Sequence, residues 1–254
     1  MECYTFLLFT LLVFSKEFKV TESYILDINS KNECLTKYFY KGVRPIYMNT
    51  ESESDKYICQ KLNGIEHFLT RYSPKHKIPI YSAYTIKSIE KKSKAYGSWR
   101  VEKGDALLPL KNQASDSDYK MSGFERGHLN PRYHNQISEL DIKATFTLTN
   151  VVPMTAEANK EWFQVAEKPL FDKIERDCRF QNAARYIVVG VILGNYEMDY
   201  GNVNIPDYIW SAAYCDTSKV KNDLSDWSVG YLMNTNDTRY SSCTIQDLQQ
   251  ILKN

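Results

Sequence analysis

His128 stands in the run Glu125-Arg126-Gly127-His128, where an imidazole that titrates near neutral pH lies two residues from a guanidinium. Hydrolysis of a phosphodiester needs an activated water, stabilisation of charge on phosphorus and help for a leaving alkoxide. His128 fits the first need as a general base, and Arg126 can grip phosphate with its planar fork of donors. Gly127 is read as allowing a tight turn that aims both side chains into one site. An ordinary ion pair of Arg126 with Glu125 or Asp118 is the competing reading. Downstream, Asn150, Asn159 and Glu167 offer oxygen atoms of the kind magnesium prefers. Asn159 alone can suffice as a ligand, since magnesium keeps several waters, and Glu167 fits as an acceptor that holds those waters. Two other metal readings are weaker: His128 with His134 for zinc, and Asp116 with Asp118 for calcium, both short of ligands at recognisable spacing.

These side chains need a scaffold, and the pattern around them predicts one. Residues 144–150 (ATFTLTN) alternate strictly, which predicts a strand with Ala144, Phe146, Leu148 and Asn150 on one face and threonines on the other. Asn150 ends the apolar face, where an amide needs hydrogen-bonding partners. Thr155 is placed to cap a helix carrying Trp162, Val165 and Ala166, which Pro169 kinks or ends. On it, Asn159 and Glu167 are eight residues apart, or about 80° from alignment, and can border one cleft. Further strands are expected at 78–86, 185–193, 203–214 and 227–233, with a last helix near 244–252. Residues 22–64 show no clear periodicity and read as irregular. The Lys87 to Lys94 stretch reads as a solvated basic connection. The class is α+β around a largely antiparallel sheet.

The chain has 254 residues, 43% of them apolar, enough for one large core, and a net charge of +1. That balance excludes the strongly basic surface of an avid nucleic-acid binder, so a polyanion site must be local. Residues 3–14 form an apolar run too short for a membrane span and placed like the centre of a secretory signal. The expectation is a signal peptide over about 1–20, a single domain over 21–254 and secretion, with an N-terminal core element as the alternative. Five cysteines would then meet an oxidising compartment. Sequence leaves their pairing open; the provisional assignment is Cys34 with Cys59 and Cys215 with Cys243. Asn236-Asp237-Thr238 is an N-glycosylation pattern.

The run 125–128 resembles the Asp-Arg-Gly-His signature of the DNA/RNA non-specific endonuclease family of ββα-metal nucleases. Asn150, Asn159 nine residues later and Glu167 eight beyond that fall at the family spacing. The wording of 144–155, Tyr81 to Tyr84, Asp118-Tyr119 and 204–210 is similar to the endonuclease domain-containing 1-like branch. The resemblance implies a ββα-metal fold, DNA and RNA as substrates cut without sequence preference, and magnesium, with manganese as substitute. It also implies His128 as base, Asn159 as metal ligand, Glu167 as support for metal waters, Arg126 as substrate contact and Asn150 as a residue framing the site. The chain departs from the family at Glu125, where the signature has aspartate, and at Gly97, where an arginine stands two residues before the tryptophan; Arg100 follows Trp99 instead. The alternative function is a catalytically impaired relative that binds nucleic acid or another partner. A phosphodiesterase acting on small esters is a third reading.

Overall fold

The computed structural model describes residues 23–45, 54–88, 90, 92–102, 110–120, 122–220 and 225–253. The expected signal segment lies outside them. Twelve strands are present among the described residues: β1 (Tyr24–Leu26), β2 (Lys56–Leu62), β3 (Ile65–Ser73), β4 (Ile78–Thr85), β5 (Glu125–His128), β6 (Val151–Met154), β7 (Ala184–Ile192), β8 (Tyr196–Glu197), β9 (Asn204–Ile205), β10 (Tyr208–Asp216), β11 (Trp227–Asn234) and β12 (Tyr240–Cys243). Eight of them form one antiparallel sheet in the order β1-β2-β3-β4-β7-β10-β11-β12. The helices are α1 (Asp116–Lys120), α2 (Glu139–Ala144), α3 (Ala156–Trp162), α4 (Lys168–Asp177) and α5 (Ile245–Ile251).

Side chains on the central strands alternate between two apolar layers, so both faces are covered. Ile187, Val189, Val191 and Ile209 join Trp162, Leu170, Phe171 and Ile174 on the helical side. Tyr81, Trp210 and Leu69 pack with Leu35, Phe39 and Leu248 on the other. The chain between β4 and β7 carries α1, β5, α2, β6, α3 and α4. Every residue singled out for chemistry lies in this one excursion.

The structure revises several expectations. Residues 56–73 are a hairpin rather than irregular chain: Leu62 pairs with Ile65 across Asn63-Gly64, whose φ values of 49° and 74° suit the two-residue turn that matches strand twist. The strand expected over 144–150 does not form. Ala144 ends α2, Thr147 makes a single bridge with Arg100, and Leu148–Asn150 is a 3-10 turn. Its threonines are buried rather than outward, because polar partners meet them inside: Glu102 accepts from Thr147 Oγ1 at 2.6 Å and Thr149 Oγ1 at 2.8 Å. The 203–214 strand is split at Pro206, which has no N–H to offer a ladder.

Beyond Thr155, whose hydroxyl accepts from Ala158 N as expected of a cap, the helix runs past Pro169 to Asp177. Its buried residues Ala158, Trp162, Ala166, Leu170 and Ile174 recur every four positions, which overruns the roughly 3.6-residue turn and would spiral off the core. A π-helical turn at Phe163–Glu167 absorbs the excess. Lys168 N donates to Phe163 O five residues back, so the helix is already wide where Pro169 lacks a donor.

Disulfides join Cys34 to Cys59 and Cys178 to Cys215, leaving Cys243 free among the described residues. The first pair is the expected one; the Cys215–Cys243 pairing is wrong. Cys215 faces the helical layer and Cys243 the opposite layer, so the sheet separates them. Peptide mapping without reduction should recover both bridges and an alkylatable Cys243. Replacing Cys178 and Cys215 together with serine should destabilise the protein by about 2–4 kcal/mol in denaturant titrations, through the freed loop.

Candidate metal and phosphate site

β5 and β6 pair antiparallel, setting Glu125 opposite Met154 and His128 opposite Val151. Gly127 keeps ordinary strand backbone, so its role is not the tight turn expected of it. A Cβ there would come within 2.7 Å of Met154 Cγ, and the missing side chain lets β6 lie flush. α3 follows β6 directly, and its first turns face β5 across an open cleft of about 840 Å³. Arg126, His128, Asn159 and Glu167 all border it, and Glu125 stands at its edge.

The expected residues differ in what holds them. Glu125 Oε2 accepts from Asn159 Nδ2 at 2.7 Å. A carboxylate can only accept, so this contact fixes the amide with its carbonyl oxygen as the end left for a cation. His128 packs against Trp99 and Phe146, with ring centroids 5.3 Å away in each case. Its Nε2 is enclosed without a hydrogen-bond partner. Burial, with the nearby Arg132 charge added, lowers its pKa from the ordinary 6.5 to about 4. The imidazole is therefore neutral at physiological pH. Burial pushes the Glu167 carboxyl up to about 8; this half-buried acid has no cation beside it to offset the desolvation.

Arg126 pairs with neither Glu125 nor Asp118. Its Nη2 donates to Asp116 Oδ1 at 2.6 Å and to the Asp116 carbonyl at 3.1 Å. Its guanidinium lies between the rings of Trp99 and Tyr119, 5.3 and 5.0 Å from their centroids.

Asn150 is not in the cleft wall. It is fully buried, at 0% exposure. Its Oδ1 accepts from Ser82 Oγ and Asn130 N, both at 2.9 Å, and its Nδ2 donates to the carbonyls of Asn130 and Thr145, both at 3.0 Å. It ties β4, the chain leaving β5 and the end of α2 together.

The alternative metal readings lose their ligands. His134 contacts Tyr84 Oη through Nδ1 and the Glu167 carbonyl through Nε2, at 2.9 and 2.8 Å, so neither nitrogen faces a metal shared with His128. Asp116 is taken up by Arg126 and Lys120, and Asp118 accepts from Ser115 N. Among the described residues one group of three His, Cys, Asp or Glu side chains is spaced for a metal, Cys34, Cys59 and Glu66, and its cysteines are bridged.

Arg100 does not replace an arginine missing at position 97, because its guanidinium donates to the Lys143 carbonyl at the end of α2. Gly97 has no room for a side chain: a Cβ would fall 2.6 Å from Phe146 Cβ. The cation overlooked is Arg132, which lines the cleft with Tyr96 and Lys160. Its spacing of four from His128 is the signal the sequence offered.

A model of the DNA/RNA non-specific endonuclease family matches residues 49–251. Endonuclease domain-containing 1 protein of Mus musculus is 29% identical over 239 residues, covering 87% of this chain and 45% of that protein. The Homo sapiens protein of that name is 29% identical over 240 residues, with the same coverage. The chain thus spans about half the length of these curated relatives. Mitochondrial endonuclease G of Caenorhabditis elegans is 28% identical over 144 residues, 49% of this chain and 43% of that protein. The crystal structure of an EndoG/EndoGI complex superposes with a TM-score of 0.59 at 15% identity, covering 89% of this chain and 91% of that one; at that identity the likeness speaks for the fold.

Asn150→Ala should lower stability by at least about 2 kcal/mol, since it strands several buried polar groups at once. Gly97→Ala should cost about 1–3 kcal/mol through the collision with Phe146. Urea unfolding followed by tryptophan fluorescence checks both.

Proposed function

The chain belongs to the DNA/RNA non-specific endonuclease family, and from that premise we propose that it is a secreted, metal-dependent nuclease that hydrolyses DNA and RNA with little base preference. The observation that carries this reading is the cleft itself: a neutral imidazole, an amide carbonyl oriented by Glu125 and a desolvated carboxyl border the same space. A half-buried acid whose desolvation raises it to about 8 and a directed amide oxygen are a hard-oxygen pair that fits magnesium or manganese, Asn159 holding the ion and Glu167 its waters. The bound ion would supply positive charge to the phosphate and to the departing oxygen.

In this reading His128 removes a proton from the attacking water. With Nε2 enclosed, Nδ1 is the nitrogen we assign to that task. The water oxygen bonds to phosphorus as the P–O3′ bond breaks, giving 5′-phosphate and 3′-hydroxyl ends, and the leaving oxygen is protonated from solvent. Arg126, neutralised by Asp116 and clamped between two rings, serves to orient phosphate at the cleft edge. Contacts of this kind address the backbone, which is common to all sequences, so weak base preference follows. Two disulfides support folding in an oxidising compartment. So does the exposed Asn236 at the turn between β11 and β12. Among the described residues no helix is long and apolar enough to cross a membrane.

The purified protein should degrade plasmid DNA and RNA with magnesium, and EDTA or His128→Ala should abolish both activities. With saturating magnesium holding Glu167 ionised, the sign of the pH dependence is set by the lowered imidazole: activity should persist on acidification through pH 6.5 and fall as pH approaches about 4, where the base becomes protonated. Full activity in His128→Ala contradicts the mechanism. Inactivity of the wild-type protein with both magnesium and manganese would favour a binding module.

A further inference from the structure

A nuclease of this kind needs a cation on the phosphate under attack, and the charges around the cleft are not equally free to supply one. Arg126 is partly neutralised by Asp116 and held at the cleft edge, Arg100 donates to the Lys143 carbonyl, and position 97 is closed by Phe146. Lys160 lies exposed on α3 with a flexible stem. Arg132 is different in three respects. It borders the same cleft as His128 and Asn159. No carboxylate pairs with it among the described residues, and its one hydrogen bond is a long 3.5 Å contact from Nη2 to the Lys94 carbonyl. Its guanidinium also lies 4.0 Å from the centre of the Tyr96 ring, and with Nε enclosed the Nη edge is the one left to meet an anion.

The perch under Arg132 is itself fixed. The Lys92 and Ser93 amides both donate to the Gln136 carbonyl, at 2.8 and 3.0 Å, pinning the chain that leads to Tyr96 against the turn Arg132–Asn135. Tyr96 nonetheless remains 73% exposed, so the ring is open to solvent beside the cleft. Its free face suits a nucleobase, which stacks on aromatic side chains whatever its identity.

We propose that Arg132, laid across Tyr96, grips the non-bridging oxygens of the scissile phosphate, and that Tyr96 is its positioning residue and a stacking platform for the adjoining base. This rests on the nuclease reading above and extends it to a second phosphate-binding arginine. The nearness of Arg132 to His128 is registered in the lowered imidazole pKa. Burial does most of that lowering and the Arg132 charge adds to it, so the same guanidinium that would meet the anion also disfavours protonation of the base.

The test uses the purified protein and a short fluorescent DNA strand, with cleavage followed in magnesium and binding in EDTA over a salt series. Arg132→Ala should lower kcat by roughly 100-fold, the usual effect of losing one transition-state donor, and flatten the salt slope by about one phosphate. Arg132→Lys, which keeps charge but not the planar fork, should keep the slope while losing kcat about tenfold, a split that a purely structural role would not produce. Tyr96→Ala, at an exposed site, should raise KM with unchanged melting temperature. Wild-type kcat and slope in Arg132→Ala would overturn the inference while leaving the nuclease reading intact. So would wild-type kcat in the lysine variant, should the alanine variant fail to fold. A wild-type protein that cleaves nothing would overturn both.

Discussion

The amide of Asn150 is the point on which the site depends. It sits in a closed polar set in which each of its own hydrogen-bonding atoms has two partners: Ser82 on β4, both backbone groups of Asn130, and the Thr145 carbonyl. Through Ser82 and Thr70, and through Gln60 to Thr149, that set continues into the main sheet. A buried amide with a missing partner is expensive, whereas a complete set fixes one geometry. The eight-stranded sheet thereby dictates where β5 ends and β6 begins, and His128 is positioned by that register rather than by its own few contacts.

The opposite wall of the cleft is set by helix phase. The four-residue spacing of buried side chains forces a wide turn at Phe163–Glu167, and the turn brings Glu167 round to the same cleft as Asn159. Glu125 then reaches across from β5 to hold the Asn159 amide. Its longer side chain, at the position where the family signature has aspartate, is thus engaged with the other half of the site. Sheet and helix meet at that hydrogen bond, which leaves the Asn159 carbonyl oxygen unclaimed by Glu125 at the cleft that a neutral imidazole also borders.

Much of this was legible in the chain. The residues expected at the cleft, Glu125 to His128 and Asn159 with Glu167, lie in two short motifs, and the Thr155 cap, the strand at 78–86 and the final helix follow from local chemistry. What sequence missed has physical causes. The alternation at 144–150 is genuine, but Thr147 and Thr149 turn inward to Glu102 and Gln60, partners 45 or more residues away that no local period can reveal. The Asn63-Gly64 hairpin was passed over because weak apolar alternation on either side masked a strong turn signal. The Cys215–Cys243 assignment failed because cysteines near in sequence lie on opposite faces of the sheet. Arg132 escaped notice because its role comes from a stack with Tyr96, 36 positions earlier, and from the absence of an acid beside it.

The junction between Glu125, Asn159 and Glu167 can be probed without any nuclease assay. Manganese binding, followed by the loss of the free-ion paramagnetic resonance signal, reads the cleft directly at neutral pH. The account predicts a site in the wild-type protein that is weakened by roughly tenfold or more in Asn159→Ala, by the measure of what lost support costs a metal site, with the melting temperature unchanged. Manganese bound by Asn159→Ala as tightly as by the wild type would contradict it.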